Sequence, residues 1–333
     1  MNATNQRPLA EYGRVEIDGI DKPVSPLALG TAFYKLADKD TWFGVLDRFV
    51  AAGGTLIDTA RCYGQSEDVM GLWLASRDVR NQIILITKGG VGDNLGLSQE
   101  DFAPTIEREL AQSLQLLGID QVDLYMLHRD SPTVPVGAIM ECLNRLREQG
   151  RVNALGASNW EYDRIAEAND YARKHGLVGF SSISNNISLA KPAAPFYPGL
   201  VSVDTDGERW HQQTGTPLVV WSAQARGFFT GRYAPAMRES KDEIRDGFTA
   251  RMLEVYGTDG NFERLRRAAQ LGESKGDYSA TQVALAWLLH KHFPLAPLVG
   301  AHTEAELDSC IHALTIRLSP AETAWLDLKP WAP

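Results

Sequence analysis

Between Leu27 and Leu314 the sequence runs through the same unit eight times: a short apolar run, a turn, then a longer segment whose apolar residues recur three and four apart. The apolar runs are 27–30, 55–58, 83–88, 122–128, 153–156, 179–184, 218–222 and 295–300. They are continuous rather than alternating, the pattern of strands buried on both faces, and therefore of a parallel sheet covered by helices. The intervening segments read as those helices. Asp40 offers an N-cap ahead of inward-facing Phe43, Leu46 and Val50. Ser98-Gln99-Glu100-Asp101 resembles a capping box before Phe102, Ile106, Leu110, Leu114 and Leu117, and Gly118 ends that helix. Further helices are expected over 66–76, around Ile139, Leu143 and Leu146 as far as Gly150, and over 159–175, 207–213, 262–274, 279–290 and 303–314.

Eight such units close into a barrel. The rival, a doubly wound open sheet, would carry a Gly-rich turn after its first strand. Gly30-Thr31-Ala32-Phe33 is not that turn, and the Gly90–Gly96 cluster has the wrong spacing and stands apart from its helix. The expected fold is α/β, a parallel eight-stranded (β/α)8 TIM barrel forming a single domain over residues 10–333, with residues 1–9 as a flexible tail. Arg14 to Ile17 and the Asp18-Gly19 turn suggest an N-terminal hairpin cap, and Ser319-Pro320 opens an extra C-terminal helix through Trp325. Ala223 to Asn261 breaks the rhythm as a long loop after the seventh strand, where barrels build active-site lids.

Barrel enzymes place their chemistry at the C-terminal strand ends. Here the second strand ends on Asp58, the third on Lys88 and the fourth on His128, and Tyr63 stands on the loop after Asp58. Taken singly, an Asp or Lys at a strand end is often a structural ion pair. Together the four make a proton-transfer set. A tyrosine with a pKa near ~10 is a poor acid at neutral pH; an adjacent Lys ammonium favours the phenolate, which predicts a lowered Tyr63 pKa, while a carboxylate holds the Lys charged. A neutral His beside the phenol can orient a carbonyl oxygen. The set suits protonation of a carbonyl as it becomes an alcohol.

A net charge of −9 without a Lys/Arg cluster argues against nucleic acid and an anionic membrane surface. The polar N-terminus lacks a signal-type apolar core, and every apolar run is far too short to span a bilayer, so a cytoplasmic location is expected. Cys62, Cys142 and Cys310 are too widely spaced for a disulfide framework or a metal pair, and His290 and His292 face different ways on a helix end, so no metal is expected. The expected partner is a small carbonyl or alcohol substrate, bound by a monomer or small homo-oligomer.

The chain resembles an aldo-keto reductase from its first strand to its closing helix. The resemblance rests on Asp58-Thr59-Ala60-x-x-Tyr63-Gly64-x-Ser66-Glu67, Lys88, Leu127-His128, Gly156-x-Ser158-Asn159, and Trp221-Ser222 with Gly227-x-x-x-Gly231. It implies NAD(P)H-dependent reduction of an aldehyde or ketone, with Tyr63 as general acid assisted by Asp58, Lys88 and His128, and a cofactor lying extended across the rim. Ser158 and Asn159 would hold the nicotinamide carboxamide, Trp221 would stack on its ring, and Ser222 and Gly227 would lie along it. Ser184 stands where relatives place a Gln, and Asn186 is its expected substitute. At the adenosine end the resemblance places Gly300, His302, Thr303, Glu306 and Cys310. NADP(H) is the family's usual cofactor, yet Glu306 and Cys310 replace the basic residue and Asn common in NADPH-preferring members, which leaves NAD(H) open. Phe33, Tyr34, Arg129, Trp160 and Arg226 are expected to line or approach the substrate pocket. Arg61, Arg129 and Arg226 point to a polar or anionic substrate such as a sugar-derived aldehyde. A rival from the same resemblance is a cofactor-binding regulatory subunit with little turnover.

Overall fold

The computed structural model describes residues 8–13, 15–91, 97–239, 244 and 246–330. Eight strands, β1 (Ala28–Gly30), β2 (Leu56–Asp58), β3 (Ile84–Gly89), β4 (Val122–Leu127), β5 (Val152–Ser158), β6 (Ser182–Ser184), β7 (Leu218–Val220) and β8 (Leu295–Val299), close in chain order into a barrel. Every adjacent pair is parallel, including β1 with β8. The helices are α1 (Lys39–Ala51), α2 (Ser66–Ser76), α3 (Gln99–Leu117), α4 (Val136–Glu148), α5 (Tyr162–Lys174), α6 (Thr205–Thr214), α7 (Gly247–Tyr256), α8 (Asp259–Gly276), α9 (Ala280–Leu289), α10 (Glu304–His312) and α11 (Pro320–Leu326).

The two faces of each strand build separate cores. Ala28, Leu56, Ile84, Ile86, Leu124, Met126, Ala154, Val219 and Ala296 fill the lumen. Their chain neighbours, such as Leu29, Ile57, Leu85, Tyr125 and Leu155, pack outward on the helices, as does Ile183 of β6. This parity decides where the ionisable strand ends point. Asp58 lies two residues beyond Leu56, and Asp58 pairs in register with Ile86. Lys88 lies two beyond Ile86 and pairs with Met126, and His128 lies two beyond Met126. With a side-chain period of two, all three project into the lumen above its apolar layers, each one step higher than the last.

The expected hairpin is reduced to a single antiparallel bridge, Val15 to Val24, the amide of Val15 donating to Val24 at 3.3 Å. Val15, Ile17 and Val24 join the lumenal cluster, so the segment plugs the floor of the barrel. Each such side chain stabilises the fold by about 1.5–3 kcal/mol. Arg14 and most of the expected tail lie outside the described residues. At the tail's end Leu9 is fully buried, and its amide donates to Ala52 at 2.9 Å, so the body of the fold already includes Leu9.

Several helix ends follow their expected capping residues, but α1 does not. It starts at Lys39, one residue before the expected cap Asp40, which lies in its first turn, and its N-cap Asp38 makes no side-chain cap bond. Ser98 accepts from the Asp101 amide, and Gly118 closes α3 at φ 65°. Ser319 and Glu322 form the capping box that opens α11. The loop expected over 223–261 proves to contain α7. Asp246 accepts from the amides of Phe248 and Thr249, and Met252, Leu253, Val255 and Tyr256 are buried. The expected helix at Asn159 starts instead at Tyr162, because Asn159 takes a left-handed conformation with φ 60°. Among the described residues no helix is long and apolar enough to cross a membrane.

Candidate functional site

The chain leaving β2 does not turn away from the barrel at once. Thr59 donates to Ile86 and Arg61 to Lys88, each at 2.9 Å, so the loop continues along the edge of β3. A tight turn follows, with the Tyr63 amide donating to Ala60 at 3.0 Å and Gly64 at φ 55°. Buried polar side chains fix the loop from below. Ser66 Oγ lies 2.5 Å from Thr31 Oγ1 and 2.8 Å from Thr59 Oγ1. Glu67 accepts from Thr87 Oγ1 at 2.6 Å and Arg61 Nη1 at 2.9 Å. Tyr63 is thereby held with its ring centre 5.1 Å from Lys88 Nζ and 5.4 Å from the His128 ring, edge to face at 82°.

Beneath Tyr63, Lys88 Nζ forms an ion pair with Asp58 Oδ1 and donates to Thr59 O at 3.0 Å. Both charged groups are 2% exposed. Burial alone would lower the Lys88 pKa, but the Asp58 carboxylate and Tyr63 outweigh it and hold the ammonium above its ordinary value. The Asp58 pKa also rises, which ion pairing alone would not do; desolvation exceeds the pull of Lys88. Burial, Lys88 and Arg129 hold His128 well below its usual range, so the imidazole is neutral.

For Tyr63 the outcome corrects the expectation of a lowered pKa. Lys88 does pull it down, but burial is the larger effect, with Asp58 and Cys62 adding to it, and the phenol is pushed up to about 12. Cys62 is a residue that sequence reasoning passed over as one of three reduced thiols. Its Sγ lies 3.4 Å from His128 Nδ1. Its position immediately before Tyr63 was the available signal.

On the far side, Ser158 Oγ donates to Ser184 O at 2.8 Å. Asn159 Nδ2 donates to Ser158 Oγ at 3.0 Å and His128 O at 3.3 Å, and Asn159 Oδ1 accepts from Val201 at 3.2 Å. Both Asn159 polar groups are thus engaged, which ties the ends of β4 and β5 together. Ser184 Oγ is buried without a hydrogen-bond partner. Asn186, expected to stand in for a carboxamide-gripping Gln, has its amide committed: Nδ2 donates to Trp221 O at 2.9 Å and Oδ1 accepts from Ser202 Oγ at 3.4 Å. It positions Trp221 instead. Asn185, also passed over, accepts from the Asn159 amide at 2.8 Å and donates to Trp160 O at 3.0 Å.

The loop after β7 holds Ser222, Ala225, Arg226 and Gly227 at positive φ, from 48° to 82°, a run of left-handed backbone conformations. After β8, Gly300 gives room to Phe33: a Cβ there would meet the ring at 3.0 Å. Phe33 stacks on His302 at 4.3 Å and 12°. Thr303 Oγ1 caps α10 by accepting from Glu306, whose Oε2 accepts in turn from the His302 amide at 2.8 Å. Cys310 Sγ accepts from Gln224 Nε2 at 3.4 Å, which joins α10 to the β7 loop.

The residues expected at the substrate pocket separate. Tyr34 and Trp160 are in the core: Tyr34 stacks on Trp42 at 4.5 Å, and Trp160 packs edge-on against Phe180 at 5.2 Å. Phe33 stands at the β8 end with His302 rather than beside Tyr63. Arg226 lies over the rings of Phe196 and Tyr197. Arg129 alone of the five directly follows one of the gathered ionisable strand-end residues, His128.

Comparison with known proteins agrees with this geometry. The family model for the Aldo/keto reductase family matches residues 26–329. A norsolorinic acid reductase of Emericella nidulans is 31% identical over 322 residues, spanning 90% of this chain and 76% of that protein. An aldo-keto reductase of Aspergillus calidoustus is 29% identical over 345 residues, spanning 96% and 83%. A solved glycerol dehydrogenase from Gluconobacter oxydans shares the fold, with a TM-score of 0.76 at 24% identity over 95% of this chain and 94% of that one. An eight-stranded barrel whose rim gathers Asp58, Tyr63, Lys88 and His128, matched by that model over most of its length, belongs to the aldo/keto reductase family.

Proposed function

We propose that the protein reduces an aldehyde or ketone to an alcohol with NAD(P)H, and that Tyr63 donates the proton. The observation that carries this reading is the buried Lys88–Asp58 ion pair beneath Tyr63 with a neutral His128 against the phenol ring. A phenol pushed up to about 12 remains a usable acid for this step, because the alkoxide that forms is more basic still, its conjugate acid near water's ~15.7. Lys88 stabilises the phenolate left behind, and Asp58 keeps Lys88 charged. His128, uncharged, can donate a hydrogen bond to the carbonyl oxygen without competing for the proton.

The residues present fit a nicotinamide cofactor. Ser184 Oγ, at the end of β6, is buried and unpartnered among the described residues, as a group awaiting a carboxamide would be. Trp221, whose backbone carbonyl accepts from Asn186 and whose Nε1 is likewise unpartnered, follows β7, the strand next to β6 in the barrel. We assign Ser184, Trp221 and Ser222 to the nicotinamide end, together with Ser158 and Asn159, whose polar groups are bonded within the chain and would have to exchange those bonds for the carboxamide. Gly227, Gly300, His302, Thr303, Glu306 and Cys310 are assigned to the rest of the molecule. The reduced nicotinamide supplies the hydride. Glu306 bears on cofactor choice. A carboxylate at the start of α10 repels a 2′-phosphate and accepts from a ribose hydroxyl, so discrimination in favour of NADPH is weak.

Reduction of norsolorinic acid by the relative from Emericella nidulans is in keeping with carbonyl chemistry here. The test is a panel of aldehydes and ketones run with NADPH and with NADH. The reading expects aldehyde-dependent oxidation of the nicotinamide with both; no oxidation of either by any carbonyl compound contradicts it.

A further inference from the structure

Three arginines reach the rim, and their surroundings separate them. Arg61 is neutralised by Glu67 at 2.9 Å. Arg226, whose Nε is buried without a hydrogen-bond partner among the described residues, lies on the β7 loop with its guanidinium 4.3 Å from the Phe196 ring and 5.6 Å from the Tyr197 ring. That loop follows a strand that carries none of Asp58, Lys88 and His128. Arg129, directly after His128, is 7% exposed and has no carboxylate within ion-pair distance among the described residues. Its Nη1 donates to His128 O at 2.8 Å, while Nε is buried without a partner. The neighbouring Asp130, which could compensate it, is instead taken by Arg164 Nε at 3.2 Å and the Ser131 amide at 2.7 Å.

Lys88 and Asp58 pair, Arg61 and Glu67 pair, and His128 is neutral, so Arg129 stands beside the reacting end as a cation without an ion-pair partner among the described residues. A buried cation without a counter-ion is costly to hold, and such groups usually meet their partner in a ligand. The Nε–Nη2 edge of a guanidinium is also the edge that takes a carboxylate in a bidentate grip. Two anions could supply the charge, the substrate or the cofactor's phosphates. Arg129 stands on the β4 rim beside the proton donor, whereas the residues assigned above to the phosphate and adenosine end lie after β7 and β8.

We propose that Arg129 binds an anionic group of the substrate, and that the protein acts on aldehydes or ketones that carry a carboxylate. The inference rests on the carbonyl-reductase reading. A carboxylate entering beside Tyr63 draws the guanidinium off His128 O and replaces one bond to a neutral carbonyl with two charge-assisted ones.

The test compares para-carboxybenzaldehyde with its methyl ester, the same aldehyde without the charge, at saturating nicotinamide. Wild type, Arg129→Met and Arg129→Lys are assayed. The expected kcat/KM ratio of acid to ester in wild type is about tenfold, carried by KM. The ratio falls to near unity in Arg129→Met and is intermediate in Arg129→Lys. A wild-type ratio at or below unity overturns the inference even if neither variant folds. So does a ratio untouched by Arg129→Met, or a variant that loses nicotinamide affinity while still preferring the acid. If neither aldehyde is turned over, the carbonyl-reductase reading has failed separately. Melting shifts then decide the anion site: benzoate but not benzamide stabilises wild type, and Arg129→Met abolishes the effect. No shift with benzoate overturns the assignment.

Discussion

Replacing Asp58 by Asn removes the counter-charge of Lys88 while keeping shape and a hydrogen-bond acceptor. Lys88 Nζ would be left with Thr59 O at 3.0 Å and the Tyr63 ring at 5.1 Å, at 2% exposure. Stranding one member of a buried pair costs about 3–5 kcal/mol. For 333 residues at ~2.1 cal/mol/K each, the unfolding entropy is about 0.7 kcal/mol/K, so the melting temperature should fall by about 4–7 °C. The loss should depend on pH with a definite sign. In wild type Asp58 holds the Lys88 pKa above 10.5, so the pair's stabilisation is fully present below that value and is lost as pH rises through the folded-state pKa. In Asp58→Asn burial, the largest influence on Lys88, no longer has the carboxylate against it and depresses the Lys88 pKa relative to wild type, so the gap between variant and wild type should narrow as pH rises through the alkaline range. Thermal or denaturant unfolding of wild type, Asp58→Asn, Lys88→Met and the double variant measures the coupling. The double variant should be more stable than the summed single losses by at least ~2 kcal/mol. Additivity within ~0.5 kcal/mol would show that the two groups do not act as a pair and would refute this reasoning.

Ser184→Ala removes a hydroxyl that has no partner among the described residues, so stability should stay within ~0.5 kcal/mol of wild type while nicotinamide affinity drops up to about tenfold. Tryptophan quenching by NADPH and NADH reads this, and unchanged affinity contradicts the assignment. Glu306→Lys should raise NADPH affinity by about tenfold relative to NADH, at a cost near ~1 kcal/mol from the lost bond to the His302 amide. A large NADPH advantage already present in wild type would remove the role given to Glu306. The kcat/KM profile for reduction should be flat through pH ~6.5, because His128 is depressed well below that value and stays neutral, and Tyr63 should add no alkaline limb until pH nears about 12. An inflection near neutrality that disappears in His128→Gln would overturn the neutral-imidazole picture.

The barrel was legible because its strands are apolar on both faces and each ends abruptly. The gathering of Asp58, Lys88 and His128 was legible for the same reason: they are the ionisable interruptions of such runs, and a period of two carries them to one face. The helix α7 was not, since Arg and Gly dilute its surroundings and its apolar residues pack on the β7 loop rather than on a neighbouring strand. Tyr34 and Trp160 were misplaced because an aromatic near a strand end looks alike in sequence whether it faces a pocket or a helix. Asn186 shows the same limit for polar groups. Its position on the rim was readable, but its commitment to Trp221 O depends on a bridge between β6 and β7 that no spacing reveals. The sign of the Tyr63 shift failed for a quantitative reason. Burial and the Lys88 charge oppose each other, and only the geometry of the folded loop shows that burial is larger.

The central claim is that the Tyr63 phenol delivers the proton, and Tyr63→Phe tests it by removing one oxygen from a ring held by its loop. Turnover of any accepted aldehyde should fall by about 10²–10⁴-fold while NADPH and NADH affinities stay within about threefold of wild type. A variant that keeps most of its turnover would contradict the account.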